Sequence, residues 1–187
     1  MESPLPVTQA NAVVIGAGAF GLSAGYQLAA HGAGRVVVLD RFAPGSQTSP
    51  RAAGLYKLIQ ADGTLTRLAQ SSIEVICGFS EATGIPLSYV PSGSVLAART
   101  TEHAALIDAE ARASASWGIE LERLDADSVC RIAPYLTGRD IRSAYFVPGD
   151  IYIEEPRTLL DAYMAAIAQL GSLSMPPIIS PPRAGRR

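Results

Sequence analysis

The sequence contains few of the residues that usually carry metal binding, nucleophilic catalysis or strong charge. Its 187 residues include two histidines and two cysteines, and neither pair has the spacing of a metal site or a catalytic triad. The formal net charge is only −2, which argues against a nucleic-acid partner. No apolar run reaches the roughly 18 residues that a membrane span requires. We therefore expect no bound metal, no nucleic-acid partner and no membrane span.

The start of the chain and its cysteines indicate a cellular location. Residues 1–11 lack the basic segment and the apolar stretch of a secretory signal, and we predict that they form a flexible tail. Cys77 and Cys130 are isolated from each other, so we predict free thiols. Together these features favour a cytoplasmic protein.

Residues 12–41 have the complete pattern of a dinucleotide-binding βαβ unit. The apolar run Ala12–Ile15 predicts a buried parallel strand, residues 23–30 have helical periodicity, and Val36–Leu39 predicts a second buried strand. Asp40 stands at the end of this second strand. Because strand, glycine-rich turn, helix, strand and terminal acid occur in register, the pattern is much more specific than glycines alone.

Each glycine of the turn has a separate role in such a unit. Gly16 allows a tight turn where a side chain would clash, Gly18 lets the backbone approach a pyrophosphate, and Gly21 lets the helix pack closely on the sheet. The anion is held by free N–H groups at the helix N-terminus. Asp40, nineteen residues after Gly21, is placed to accept hydrogen bonds from a ribose.

The middle of the chain changes its periodicity. Residues 65–78 predict a helix, and residues 87–90 and 94–98 predict two strands joined by a turn at residues 91–93. Further strands are predicted around the turn at residues 148–150. Strands inserted after a βαβ start predict a second, sheet-based domain. The helix is predicted to bury Leu65, Leu68, Ile73, Ile76 and Cys77.

Three blocks of the chain occur together in one known family. They are residues 16–41, residues 48–55 (TSPRAAGL), and residues 92–97 combined with residues 148–156 (PGDIYIEEP). In this combination the chain resembles the N-terminal half of FAD-dependent oxidoreductases of the D-amino-acid oxidase, glycine oxidase and sarcosine/dimethylglycine dehydrogenase group. The resemblance extends to about Gly171.

This resemblance implies a fold class, a cofactor and a reaction. The fold is α/β, with a Rossmann-like FAD-binding βαβ domain, an inserted and partial α+β substrate domain, and an incomplete sheet. The cofactor is FAD and the substrate is a small amine or amino acid. The reaction is oxidation of a C–N bond by hydride transfer to the flavin, with oxygen or a carrier as the final electron acceptor.

The resemblance also implies roles for individual residues, although it implies no catalytic residue. Asp40 would bind the ribose and Arg41 would lie near the adenine. The residues expected at the FAD pyrophosphate are Gly16, Gly18, Ala19, Phe20 and Gly21. Those expected beside the flavin ring are Ser49, Ala53, Gly54 and Leu55.

The end of the sequence departs from the family. Two Pro-Pro pairs follow Gly171, and proline disfavours a buried central strand. We predict that the chain is truncated or shifts its reading frame after about Gly171, with a naturally short homologue as the alternative. The predicted division is a tail at 1–11, an FAD-binding segment at 12–83, a partial substrate domain at 84–153, a helix returning to the FAD domain at 154–171, and a disordered proline-rich tail at 172–187.

Two other functions stay open at the level of sequence. A chain without its second half is predicted to be a non-catalytic nucleotide-binding fragment. An NAD-dependent oxidoreductase is favoured only by Asp40, because the flavin family more often has glutamate at this position. The block at residues 48–55 favours the flavin enzyme, since it has no role in a simple NAD domain.

Overall fold

The computed structural model describes residues 9–136 and 140–174. These residues divide into two compact units, which are described separately below. The first unit contains residues 9–53, 79–87 and 155–174, and the second contains the described residues within 54–78 and 88–154.

The described residues form strands and helices in a mixed α/β order, with a one-turn 3-10 helix at Ser49–Arg51. The strands are β1 (Ala12–Ile15), β2 (Val36–Leu39), β3 (Leu55–Tyr56), β4 (Ser94–Ala98), β5 (Glu122–Arg123), β6 (Ser143–Val147), β7 (Ile151–Tyr152) and β8 (Leu173–Ser174). The helices are α1 (Ala19–Ala30), α2 (Gly63–Thr83), α3 (Thr101–Ser116), α4 (Ala126–Ile132) and α5 (Pro156–Gln169).

The first unit contains a parallel sheet with the strand order β1-β2-β8. Ala12 pairs with Val36 and Ile15 with Leu39, in parallel register, so the predicted βαβ unit is confirmed in its connectivity. Helix α1 lies close to the central strand, because a Cβ on Gly25 would come within 2.7 Å of Val38.

The predicted burial is correct for β2 and wrong for β1. Residues Val36, Val37 and Val38 are buried, whereas Val13 is 54% exposed and Ile15 is 87% exposed. Alternate residues of a strand point to the same face, and among the described residues β1 pairs only with β2. An apolar run predicts a strand, but it does not show which of its faces other elements cover.

The predicted disordered tail from residue 172 is wrong for its first three residues. Ser172 is buried, and its hydroxyl accepts a hydrogen bond from the Val36 N–H at 3.2 Å. Residues 173 and 174 form β8 in parallel register with Val37 and Val38. The argument from proline applies only after these residues, and the remainder of the predicted tail lies outside the described residues.

The first residues of the predicted N-terminal tail also lie outside the described part of the chain. Asn11, its last residue, is ordered, because its side chain accepts the Arg35 N–H at 2.9 Å and its own N–H donates to the Arg35 carbonyl at 2.8 Å. A polar residue directly before a strand therefore already belongs to the sheet region.

The second unit contains an antiparallel sheet and a separate strand pair. The sheet has the order β4-β6-β5, and β3 pairs with β7. The predicted hairpin between residues 87–90 and 94–98 is wrong, because β4 pairs with β6 and Val90 makes a single bridge to Tyr152. Two apolar clusters lie in this unit, centred on Ile59, Ile119 and Val147 and on Leu124, Val129 and Ala144.

The predicted boundary at residue 83 differs from the observed division. Residues 54–78 fall in the second unit, since β3 pairs with β7 about a hundred residues later in the chain. Helix α2 was expected to bury Leu65 and Leu68, but these are 46% and 63% exposed, while Ile73 and Ile76 are buried as predicted.

Within the part of the chain that the structure describes, no helix has both the length and the apolar composition of a membrane span.

Candidate nucleotide-binding site

The glycine-rich turn between β1 and α1 requires glycine at two positions, for a different structural reason at each. Gly16 has φ +108°, a conformation that side chains rarely adopt, but a Cβ there would meet nothing within 4 Å. Its requirement for glycine therefore comes from backbone conformation, because at this φ a Cβ would clash with the adjacent backbone, as predicted, while no more distant residue adds to the clash. Gly21 shows the opposite case, because its Cβ would lie 1.7 Å from the Gly16 carbonyl oxygen. This close approach is the tight turn-to-helix packing that the sequence predicted.

The N-terminus of α1 presents amide groups without acceptors. The N–H groups of Gly18, Phe20 and Gly21 donate no hydrogen bond to the described residues. The first turn of a helix leaves such donors unpaired, and the helix dipole adds a partial positive charge there. Three unpaired N–H groups at one helix end are suited to bind an oxyanion such as a pyrophosphate.

Asp40 binds the backbone of the same turn. One carboxylate oxygen accepts the Ala17 N–H at 2.7 Å, and the other accepts the Phe42 N–H at 2.8 Å. These two N–H groups hold the pKa of the Asp40 carboxyl below its usual value. An ionised carboxylate has about four acceptor positions, so both oxygens retain capacity for the ribose hydroxyls that the sequence predicted.

Arg41 and Phe20 lie on the surface near this turn. The Arg41 guanidinium lies 4.8 Å from the centre of the Phe42 ring, which leaves the cation on the exposed side of the chain beside Asp40. Phe20 is 95% exposed. Both positions are open to a ligand.

Ser49 contacts the N-terminus of α1. Its hydroxyl accepts the Ala19 N–H at 3.0 Å, although thirty residues separate the two positions. The same hydroxyl would be 3.1 Å from a Cβ on Gly18. The structure thus places the Ser49 hydroxyl at the N-terminus of α1, and the position beside the flavin ring that the resemblance implied stays a prediction. This helix-capping contact has no sequence signal, because capping patterns are local and this one is not.

The remaining predicted flavin-ring residues fall on both sides of the boundary between the units. Ala53 is exposed and is the last residue of the first unit. Gly54 begins the second unit, where it is buried with φ +77° and where its carbonyl accepts the Ile153 N–H at 2.8 Å. Leu55 is 45% exposed and pairs with Tyr152.

Comparison with known proteins assigns this geometry to a family. The family model described as FAD dependent oxidoreductase (DAO) matches residues 11–173. The chain belongs to this family. The cofactor of the DAO family is FAD, so the match supports the flavin assignment and gives no support to the NAD alternative that Asp40 left open.

Individual members of the DAO family show how much of a relative this chain covers. It is 30% identical over 173 residues to mitochondrial sarcosine dehydrogenase from Mus musculus, covering 90% of this chain and 18% of that protein. It is 29% identical over 152 residues to 4-methylaminobutanoate oxidase (formaldehyde-forming) from Paenarthrobacter nicotinovorans, covering 81% of this chain and 18% of that protein.

A solved structure shows the same coverage pattern within the DAO family. Glycine oxidase from Bacillus cereus has a TM-score of 0.73 and 25% sequence identity, covering 90% of this chain and 46% of that one. The chain therefore spans less than half the length of each of these three relatives.

Proposed function

We propose that this chain supplies a Rossmann-like FAD-binding domain, with an inserted substrate domain, to an oxidoreductase that oxidises a C–N bond of an amine or amino acid. The observation that carries the proposal is the set of unpaired N–H groups of Gly18, Phe20 and Gly21 at the start of α1. These donors fit a pyrophosphate, and the DAO family match supplies the identity of the dinucleotide.

Different residues of the turn bind different parts of FAD. The three N–H groups hold pyrophosphate oxygens, while Asp40 and Ser49 hold the N–H groups of Ala17 and Ala19 and so fix the shape of the turn. The free acceptor positions of Asp40 bind the ribose, and Arg41 lies near the adenine.

The segment from Ala53 to Leu55 is proposed to lie beside the flavin ring. Exposed small residues and a glycine allow the backbone to approach a flat ring closely. When bound, FAD supplies the acceptor for a hydride that leaves the substrate carbon beside the nitrogen. No residue of this chain is assigned to catalysis.

The substrate class comes from the names of the relatives. They name methylaminobutanoate, sarcosine and glycine, which are all amines or amino acids. A second candidate is a nucleotide-binding module without turnover, since the contacts described above assign residues of the turn to nucleotide binding and none to catalysis.

The test of FAD binding is the visible absorption of the purified chain after incubation with FAD and removal of free ligand. We expect retained flavin absorption in the wild type and its loss in Gly18→Val, because the new side chain would meet Ser49 and cover the N–H groups. Gly78→Ala is the matched control, since a Cβ at Gly78 would meet nothing within 4 Å. A colourless wild-type chain would contradict the proposed binding.

A second experiment, reduction of the bound flavin by added substrate, distinguishes the two candidate functions. Sarcosine, glycine and 4-methylaminobutanoate are added to the FAD-loaded chain without oxygen. Loss of the visible flavin band with any of these substrates supports an amine oxidoreductase. A stable band with all three supports the module without turnover.

A further inference from the structure

The second unit buries one carboxylate that the proposed function does not use. Asp150 has 0% exposure. One of its carboxylate oxygens accepts the Leu58 N–H at 2.8 Å, and the other accepts a hydrogen bond from the Ser94 hydroxyl. Among the described residues, no lysine or arginine lies within ion-pairing distance of it. A buried carboxylate without a cation is costly, so these hydrogen bonds are the compensation that the structure provides.

Asp150 joins the turn before β7 to the segment that follows β3. Its backbone carbonyl also accepts the Gly93 N–H at 3.0 Å. The Leu58 side chain packs against the same turn, because a Cβ on Gly149 would lie 2.2 Å from Leu58 Cδ1. Asp150 thus holds Leu58 through a charged hydrogen bond at a place where the side chain is also closely packed.

The segment that Asp150 holds is continuous with the proposed flavin-ring segment. The Gly54 carbonyl accepts the N–H of Ile153, directly after β7, and the two residues of β3 pair with β7. A strand pair of this length is weak by itself. The Leu58 N–H, two residues after β3, is therefore the second point of attachment, and Asp150 supplies it.

We propose that Asp150 is a positioning residue for FAD binding, acting through the Leu58 N–H to fix the backbone of residues 54–58. The inference rests on the proposed function, which places Gly54 and Leu55 beside the flavin ring. Its contribution is the placement of these residues, and Asp150 itself touches no ligand.

Three variants separate this role from a general loss of stability. Asp150→Ala removes both hydrogen bonds of the carboxylate. Asp150→Asn keeps an oxygen that can accept the Leu58 N–H. Ser94→Ala removes only the hydroxyl that donates to the other oxygen, and it leaves the Leu58 contact unchanged. Ser94→Ala is thus the matched control within the same cluster.

A second control removes a comparable polar cluster elsewhere in the second unit. The Asp108 carboxylate accepts hydrogen bonds from the hydroxyls of Ser143 and Tyr145. Asp108→Ala is expected to lower the melting temperature without affecting residues 54–58. FAD binding is compared at a fixed interval below the melting temperature of each variant, which removes the effect of stability on the measured dissociation constant.

The readouts are the dissociation constant of FAD, the shape of the bound flavin's visible band and the hydrogen exchange of a peptide covering residues 54–60. Loss of a hydrogen bond to a charged group corresponds to about tenfold or more in affinity, so we expect Asp150→Ala to raise the dissociation constant by that factor, alter the visible band and speed exchange. Asp150→Asn should restore all three readouts, and Ser94→Ala and Asp108→Ala should leave them near wild type.

Two results would overturn the proposal. One is an Asp150→Ala variant that binds FAD as tightly as Asp108→Ala. The other is unchanged exchange at residues 54–60 in Asp150→Ala, which would show that Leu58 is held by packing alone. If the wild-type chain binds no FAD, the proposed function fails and the positioning role in FAD binding fails with it. The exchange measurement then still decides whether Asp150 holds the segment.

Discussion

Gly54→Ala tests the junction between β3 and β7 with a single methyl group. Gly54 has φ +77°, and this region costs an L-residue about 1–2 kcal/mol. The added Cβ would also lie 2.1 Å from the Ile153 carbonyl oxygen, and forcing extra volume into a packed site costs roughly 1–3 kcal/mol. Alanine also restricts the conformations of the unfolded chain, which offsets about 0.4–1 kcal/mol of the lost stability. The expected net loss is about 1–5 kcal/mol.

The matched control for this prediction is Gly118→Ala. Gly118 lies in the same unit with φ +78°, but a Cβ there would meet nothing within 4 Å. Its substitution should therefore cost only the backbone strain of about 1–2 kcal/mol, less the gain from the unfolded chain.

The assay for both variants is urea unfolding followed by circular dichroism, together with the melting temperature. For a chain of this size, 1 kcal/mol corresponds to about 2–4 °C, so Gly54→Ala should melt roughly 2–20 °C below the wild type. If Gly54→Ala loses no more stability than Gly118→Ala, the contact with Ile153 is not rigid and the reasoning from close approach is refuted.

Two further predictions concern the first unit. The lowered pKa of Asp40 means that its ionised form stabilises the folded state above the unfolded pKa of about 3.9 and that this contribution is lost as the pH falls through the folded pKa. Asp40→Asn should therefore be less stable than wild type in urea at pH 7, with a difference that shrinks below about pH 4; a difference that does not change with pH would contradict this. The exposed side chains of Val13 and Ile15 should bind a hydrophobic dye, so replacing both by threonine should lower the dye fluorescence. Leu106→Ser, at a residue that is 68% exposed on α3, serves as the control, and an equal decrease there would show that the dye does not report on β1.

The nucleotide-binding turn could be predicted because its determinants are local. Gly16, Gly21 and Asp40 stand at fixed spacings within one βαβ unit, and these spacings follow from strand and helix geometry. The structure agrees with the predicted strand register and with the close packing at Gly21. At Gly16 it shows that the clash avoided by glycine is with the adjacent backbone, at φ +108°, and not with a distant residue.

The long-range contacts could not be predicted, since they join distant parts of the chain. Ser49 caps α1 from thirty residues away, and Asp150 binds Leu58 across 92 residues. Neither contact leaves a periodic or motif signal. The predicted hairpin at residues 87–98 is wrong for the same reason, because β4 pairs with the distant strand β6 and not with residues 87–90.

The sequence by itself determined the βαβ unit, the glycine-rich turn of its candidate site and, through resemblance, the family. These properties depend on residue spacing within about thirty positions, which secondary structure converts directly into geometry. Only the tertiary structure decided that the Ile15 side chain is exposed, that residues 54–78 belong with β7, and that Asp150 is buried beside Leu58. Burial and long-range pairing depend on which surfaces meet when the whole chain folds, and no local pattern of residues encodes that choice.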